Sequence, residues 1–179
     1  MAQLAMLLPA SESYGDKTSS GWHVRKATRE DNQALAVLLG AAFEDGTWTA
    51  GRVERELTGA GDVLAVMVIE DEGRIIATAS ARHWKERFPD AGYVHWVAVD
   101  PEMRGRRLGR AVVEAVIDFL EGRELAEVVL ETDDVRLPAI STYLGMGFVP
   151  VYLDSDHCER WSRVFSNLHA AKASQGGVR

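Results

Sequence analysis

The chain has 179 residues, 46% of them hydrophobic and 26% charged, with a net charge of −7; this suits one globular domain and is too short for two comfortable ones. The negative balance argues against general nucleic-acid binding, and no apolar run is long enough to span a bilayer. The apolar opening lacks the basic stretch of a signal peptide, and the single cysteine, Cys158, forms no internal disulfide and suits a reducing cytoplasm.

In chain order, residues 1–21 read as a flexible leader and 171–179 as a flexible tail around one domain over 22–170. Residues 22–27 are expected to form a short strand. Thr28 then caps a helix carrying Leu35, Leu38, Leu39 and Phe43 and ending at Gly46, and a second helix covers about residues 50–57. Two strands, 62–69 and 74–84, are joined by Glu70-Asp71-Glu72-Gly73, a hairpin signal. Lys85-Glu86-Arg87 reads as a solvated loop. A strand over 93–99 stops at Pro101, which cannot donate to a ladder. Leu108, Val112, Ala115, Val116, Phe119 and Leu120 recur at helical spacing up to Gly122. Residues 126–131 form another strand, Asp134 caps a helix reaching about Met146, and 148–153 closes the sheet. Trp161, Val164, Phe165 and Leu168 fall at i, i+3, i+4 and i+7, so the last element is a helix. This order places the helix from Arg107 between two strands that should run parallel, with the preceding loop at their carboxyl ends, where ligands bind in such sheets.

That loop, Arg104-Gly105-Arg106-Arg107-Leu108-Gly109-Arg110, carries the strongest chemistry. A loop that opens a helix aims unpaired N–H groups and the positive end of the helix dipole at one point. Two glycines allow close approach, and four arginines add charge, a combination that fits phosphate. A solvated basic turn is the competing reading. A nucleoside-triphosphate loop is disfavoured because no Gly-Lys-Ser/Thr ending follows, and a dinucleotide fold because the glycine triplet is incomplete.

Two motifs carry a family resemblance. Val99-Asp100-Pro101 followed by Arg104-Gly105-Arg106-Arg107-Leu108-Gly109 is similar to a Q/R-x-x-G-x-G/A diphosphate loop. Pro138-Ala139-Ile140-Ser141-Thr142-Tyr143-Leu144-Gly145-Met146-Gly147-Phe148 resembles an Ala-Ile-x-x-Tyr-x-x-x-Gly-Phe helix and turn. Together, with a strand between them, they resemble the GNAT superfamily of acyl-CoA-dependent N-acyltransferases over residues 22–153. The region of His157 to Trp161 with Arg136-Leu137-Pro138-Ala139-Ile140 is similar to a mycothiol-synthase-like subgroup. Two positions depart from the pattern: Arg107 replaces a loop glycine, and Arg136 stands where relatives often have asparagine.

The resemblance implies an α/β (α+β) fold: a mixed, mostly antiparallel sheet with a splayed central parallel pair, flanked by helices. It implies transfer of an acetyl group from acetyl-CoA to a primary amine of a small molecule or peptide. The backbone of Val97, Ala98 and Val99 would hydrogen-bond the pantetheine as an added strand. Arg104, Gly105, Arg106, Arg107, Leu108, Gly109 and Arg110 would hold the diphosphate, with Arg136 near the pantetheine arm. Tyr143, protonated at neutral pH, is the candidate general acid for the departing thiolate. His95 is the candidate base, with a histidine satisfied inside the sheet as the competing reading. Strand alternation puts Tyr93, His95 and Val97 on one face and Trp96 on the other, in the core. Phe43, Asp45, Trp48 and Tyr93 are candidates for the acceptor wall. Asp133 and Asp134 read as a cap and a solvated charge. His157 and Cys158 have no partner ligands at metal-binding spacing, so no metal is assigned. Homodimerisation stays open, as does a non-catalytic acyl-CoA-binding module.

Overall fold

Side-chain alternation along the strands decides how the layers stack. The structure, a computed structural model, describes residues 3–9, 21–123, 125 and 127–176. Among these, seven strands form one sheet: β1 (Leu4–Pro9), β2 (Val24–Lys26), β3 (Val63–Asp71), β4 (Arg74–Arg82), β5 (Ala91–Val99), β6 (Glu127–Thr132) and β7 (Val149–Val151). Their order is β2-β3-β4-β5-β6-β1-β7, with β5 and β6 parallel and the other pairs antiparallel. The helices are α1 (Asn32–Phe43), α2 (Ala50–Val53, running on as a π turn over Glu54–Thr58), α3 (Leu108–Glu121), α4 (Leu137–Leu144) and α5 (His157–Gly176). None is long and apolar enough to cross a membrane.

Along β3, Met67 and Ile69 enter a cluster shared with α3, α4 and α5, whereas Val66 and Val68 enter one shared with α1 and α2. Neighbours along a strand point to opposite faces, so helices cover both sides of the sheet. The β3–β4 turn holds Glu72 and Gly73 at φ 49° and 76°, the left-handed pair that matches hairpin twist.

The ends of the chain correct the sequence reading. Residues 4–9 are not leader: β1 lies between β6 and β7, paired antiparallel to both. Its Leu4, Met6 and Leu8 pack in one cluster with Trp161 and Val164 of α5. The six residues are apolar enough to fill a central slot, and only the polar run after them has a leader's composition; residues 10–20 lie outside the described residues. At the other end α5 continues through Gly176, so 171–176 are helical and not a loose tail. α1 stops at Phe43 because Glu44 takes φ 53° and its N–H closes on the Gly40 carbonyl, ahead of Gly46. α4 starts at Leu137, not beside Asp134, whose carboxylate accepts from Arg160 Nε at 3.0 Å instead.

Candidate active site

The parallel pair is joined only from Ala91 opposite Glu127 to Val94 opposite Leu130. Beyond Val94 the strands part, and a cleft of about 1000 Å³ opens between residues 95–99 of β5 and Glu131 and Thr132 of β6, with Asp133 just after.

A bulge on β5 shapes one wall. Thr78 pairs with Ala98 and Ser80 with His95, so β5 advances three residues while β4 advances two. Trp96 absorbs the extra step at φ 48°, a left-handed conformation that costs an L residue about 1–3 kcal/mol and persists only when its surroundings hold it. Ser80 Oγ donates to the His95 carbonyl at 2.8 Å, pinning the backbone there. The bulge overturns the simple alternation. Val97 and Val99 pack on the α3 side, while Trp96 sits 4.8 Å from the His95 ring and 5.4 and 4.8 Å from Phe43 and Trp48. Trp96 therefore lines the cleft beside His95.

The arginine loop closes the carboxyl end of β5. Asp100 anchors it, accepting from Glu102 N–H at 2.9 Å and pairing with Arg74 at 2.6 Å. Gly105 takes φ 80° and Arg107 φ 60°. A loop turning through left-handed residues makes a concavity of N–H groups at the start of α3. Arg104, Gly105, Arg107, Leu108, Gly109 and Arg110 line the cleft, whereas Arg106 does not. Arg110 also holds Glu114 at 2.7 Å.

α4 supplies the opposite wall. Tyr143 lines the cleft at 7% exposure, and burial pushes its phenol up to about 12, with the Arg136 charge pulling the other way. Arg136 donates to Asp133 at 3.0 Å and lies 4.9 Å over the Phe43 ring. It thereby links the β6 side of the cleft to the end of α1. Gln3 Nε2 donates to Asp133 at 3.1 Å, so Asp133 is held from both sides and is no free solvated charge.

At the far end stand Phe43, Asp45, Trp48 and Tyr93, all lining the cleft. Asp45 is bound by Arg52 at 2.9 Å, and Arg52 stacks 3.9 Å over Trp48. Glu131, which the sequence reading did not single out, also lines the cleft with its side chain 7% exposed. It accepts from Tyr93 Oη at 3.1 Å and from Arg87, so the presumed solvated 85–87 run contributes a cleft-side ion pair. The available signal is a carboxylate directly after the apolar run Val128-Val129-Leu130.

Burial, with Arg82 adding to it, lowers the His95 imidazole to about 4. Its folded value lies below the unfolded value near 6.5, so the unfolded chain takes up the proton first as pH falls. The stabilising contribution of neutral His95 is full above about pH 6.5 and lost towards pH 4, a change of roughly 2–3 kcal/mol. Urea unfolding at pH 5 and 7.5 should show this slope in the wild type and its loss in His95→Leu.

Away from the cleft, Asp154, Asp156 and His157 bring one ligand atom each within 4.8 Å of one another. Arg160 reaches Asp156 at 3.6 Å, and His157 Nδ1 accepts from Leu153 N–H at 3.2 Å. The same nitrogen lies 3.4 Å from the Val151 carbonyl and Nε2 lies 3.3 Å from Asp154, so the group sits around a buried ring with the Arg160 cation already paired to Asp156.

A family model described as "Acetyltransferase (GNAT) family" matches residues 32–148. A mycothiol acetyltransferase of Thermomonospora curvata is 32% identical over 130 residues, covering 69% of this chain and 42% of that protein. The chain spans less than half the length of the mycothiol acetyltransferases it matches. Among solved structures, the ribosomal-protein-S18-alanine N-acetyltransferase of Escherichia coli is similar at a TM-score of 0.60 and 24% identity, covering 73% of this chain and 79% of that one. An aminoglycoside acetyltransferase from an uncultured soil metagenomic sample, in complex with sisomicin, is similar at a TM-score of 0.58 and 17% identity, covering 69% and 86%.

Proposed function

The chain belongs to the GNAT acetyltransferase family, and from that premise we propose that it transfers the acetyl group of acetyl-CoA to a primary amine of a small molecule or peptide. The observation that carries the reading is the continuity of one cleft. The splay after Val94, the arginine loop and Tyr143 all open into it. The loop N–H groups with Arg104, Arg107 and Arg110 take the diphosphate through charge-assisted bonds. Backbone groups of Val97, Ala98 and Val99, released from β6, take the pantetheine as a strand would.

The acceptor enters from the side of Phe43, Asp45, Trp48 and Tyr93 and meets Glu131. The carboxylate draws in the ammonium and takes its proton. The amine nitrogen attacks the thioester carbon to give a tetrahedral oxyanion, which a backbone N–H near the bulge stabilises. As the C–S bond breaks, the Tyr143 hydroxyl gives its proton to the sulfur, CoA leaves as the thiol, and the extra proton on the new amide nitrogen passes back to the phenolate. His95, lowered to about 4 by burial and so neutral near neutral pH, orders the adjoining wall. Of the two groups, only Glu131 supplies a negative charge that attracts an ammonium. The relatives' names point to different amines. A thiol-release assay should therefore offer acetyl-CoA with sisomicin, an alanine-terminated peptide and a simple alkylamine. Amine-dependent thiol release is expected with at least one. CoA binding by calorimetry without any release would overturn the enzymatic reading and leave an acyl-CoA-binding module.

A further inference from the structure

The arginine loop depends on a residue far from it in sequence. Trp22 lies just before β2 and outside the matched residues 32–148. Its indole Nε1 donates to the Arg106 carbonyl at 3.2 Å. Arg106 sits between two left-handed residues, Gly105 and Arg107. Arg107 has a side chain and no cap bond of its own at the start of α3, so its conformation must be imposed by neighbours.

In a trans peptide the carbonyl and the next N–H point in opposite directions. A donor that holds the Arg106 carbonyl on the outer side therefore turns the Arg107 N–H inward. The cleft lining agrees: it includes Arg107 and omits Arg106. The same segment is tied to the other end of α3, where Lys26 Nζ lies 4.4 Å over the Phe119 ring. The strip from Trp22 to Lys26 thus grips α3 at both ends, and Trp22 is half-buried against the main core.

We infer that Trp22 is a positioning residue of the donor site, holding the Arg106–Arg107 peptide so that its N–H faces the diphosphate of the acyl donor. The inference rests on the donor-site reading above. It places a determinant of cofactor affinity on a segment that does not line the cleft.

Trp22→Phe keeps an aromatic ring against the core and removes the indole donor together with part of the ring system. Calorimetry with CoA should show about tenfold weaker binding, the loss expected for one misdirected charge-assisted hydrogen bond. The melting temperature without ligand should stay within a few degrees. In turnover, KM for acetyl-CoA should rise with kcat within about twofold, and acetylpantetheine, which lacks the diphosphate, should be used equally well by both proteins. Equal CoA affinity in the two proteins would overturn the inference, as would an equal loss with acetylpantetheine. Wild-type protein that fails to bind CoA would instead overturn the donor-site reading. Should Trp22→Phe not fold, NMR of the wild type decides. The Trp22 indole proton should exchange more slowly once CoA is bound, and unchanged rapid exchange would count against the inference.

Discussion

Tyr143→Phe should lower kcat by roughly 10²–10³-fold, the scale of a lost general acid, while CoA affinity stays within about twofold. The hydroxyl is the only atom removed, and the ring continues to pack edge-on against Phe148 at 6.0 Å, so the wall of the cleft survives. Burial holds the phenol well above neutrality at about 12, so the proton is in place throughout the working pH range. The phenolate left after transfer lies on the same helix face as Arg136, seven residues earlier, whose charge favours it. Steady-state kinetics together with CoA calorimetry test this. A variant turning over at the wild-type rate would remove Tyr143 from the chemistry.

Glu131→Gln is expected to lower kcat/KM for the amine by about 10²-fold or more, again without changing CoA affinity. Glutamine can still accept from Tyr93 through its one oxygen, as at 3.1 Å now, so the variant removes the charge and the bond accepted from Arg87 while the cleft wall keeps its shape. Burial and the Glu131 charge hold the Tyr93 phenol above its usual range, so Tyr93 stays a donor and does not take over as base. The comparison is His95→Gln, measured on the same amine. A loss confined to the histidine variant, with Glu131→Gln active, would move the proton route onto the imidazole.

The local elements show why the sequence reading succeeded where it did. α3 carries Leu108, Val112, Val116 and Leu120 on its buried side, and that spacing is plain in the chain because a helix's period is a local property. The hairpin turn at Glu72-Gly73 is equally local, set by two residues that reach positive φ. The bulge is not. Trp96 is a large aromatic in a strand of β-formers, and nothing in its neighbours announces a left-handed residue; only the pairing of β5 with β4 imposes it. Glu131 is hidden in the sequence for a related reason. A carboxylate in a strand reads as an exposed edge until the splay turns it inward beside Tyr93.

By itself the sequence determined the strand–loop–helix with its glycines and arginines, the Tyr143 helix, and the order of helices and most strands, since each rests on a few adjacent residues. Tertiary structure alone decided that the first strand fills the slot between β6 and β7, that His95 and Trp96 share one wall, and that Trp22 grips the loop from outside. These follow from which apolar surfaces bury one another and which carbonyls find donors across long stretches of chain. Such partners are fixed only once the whole sheet has formed.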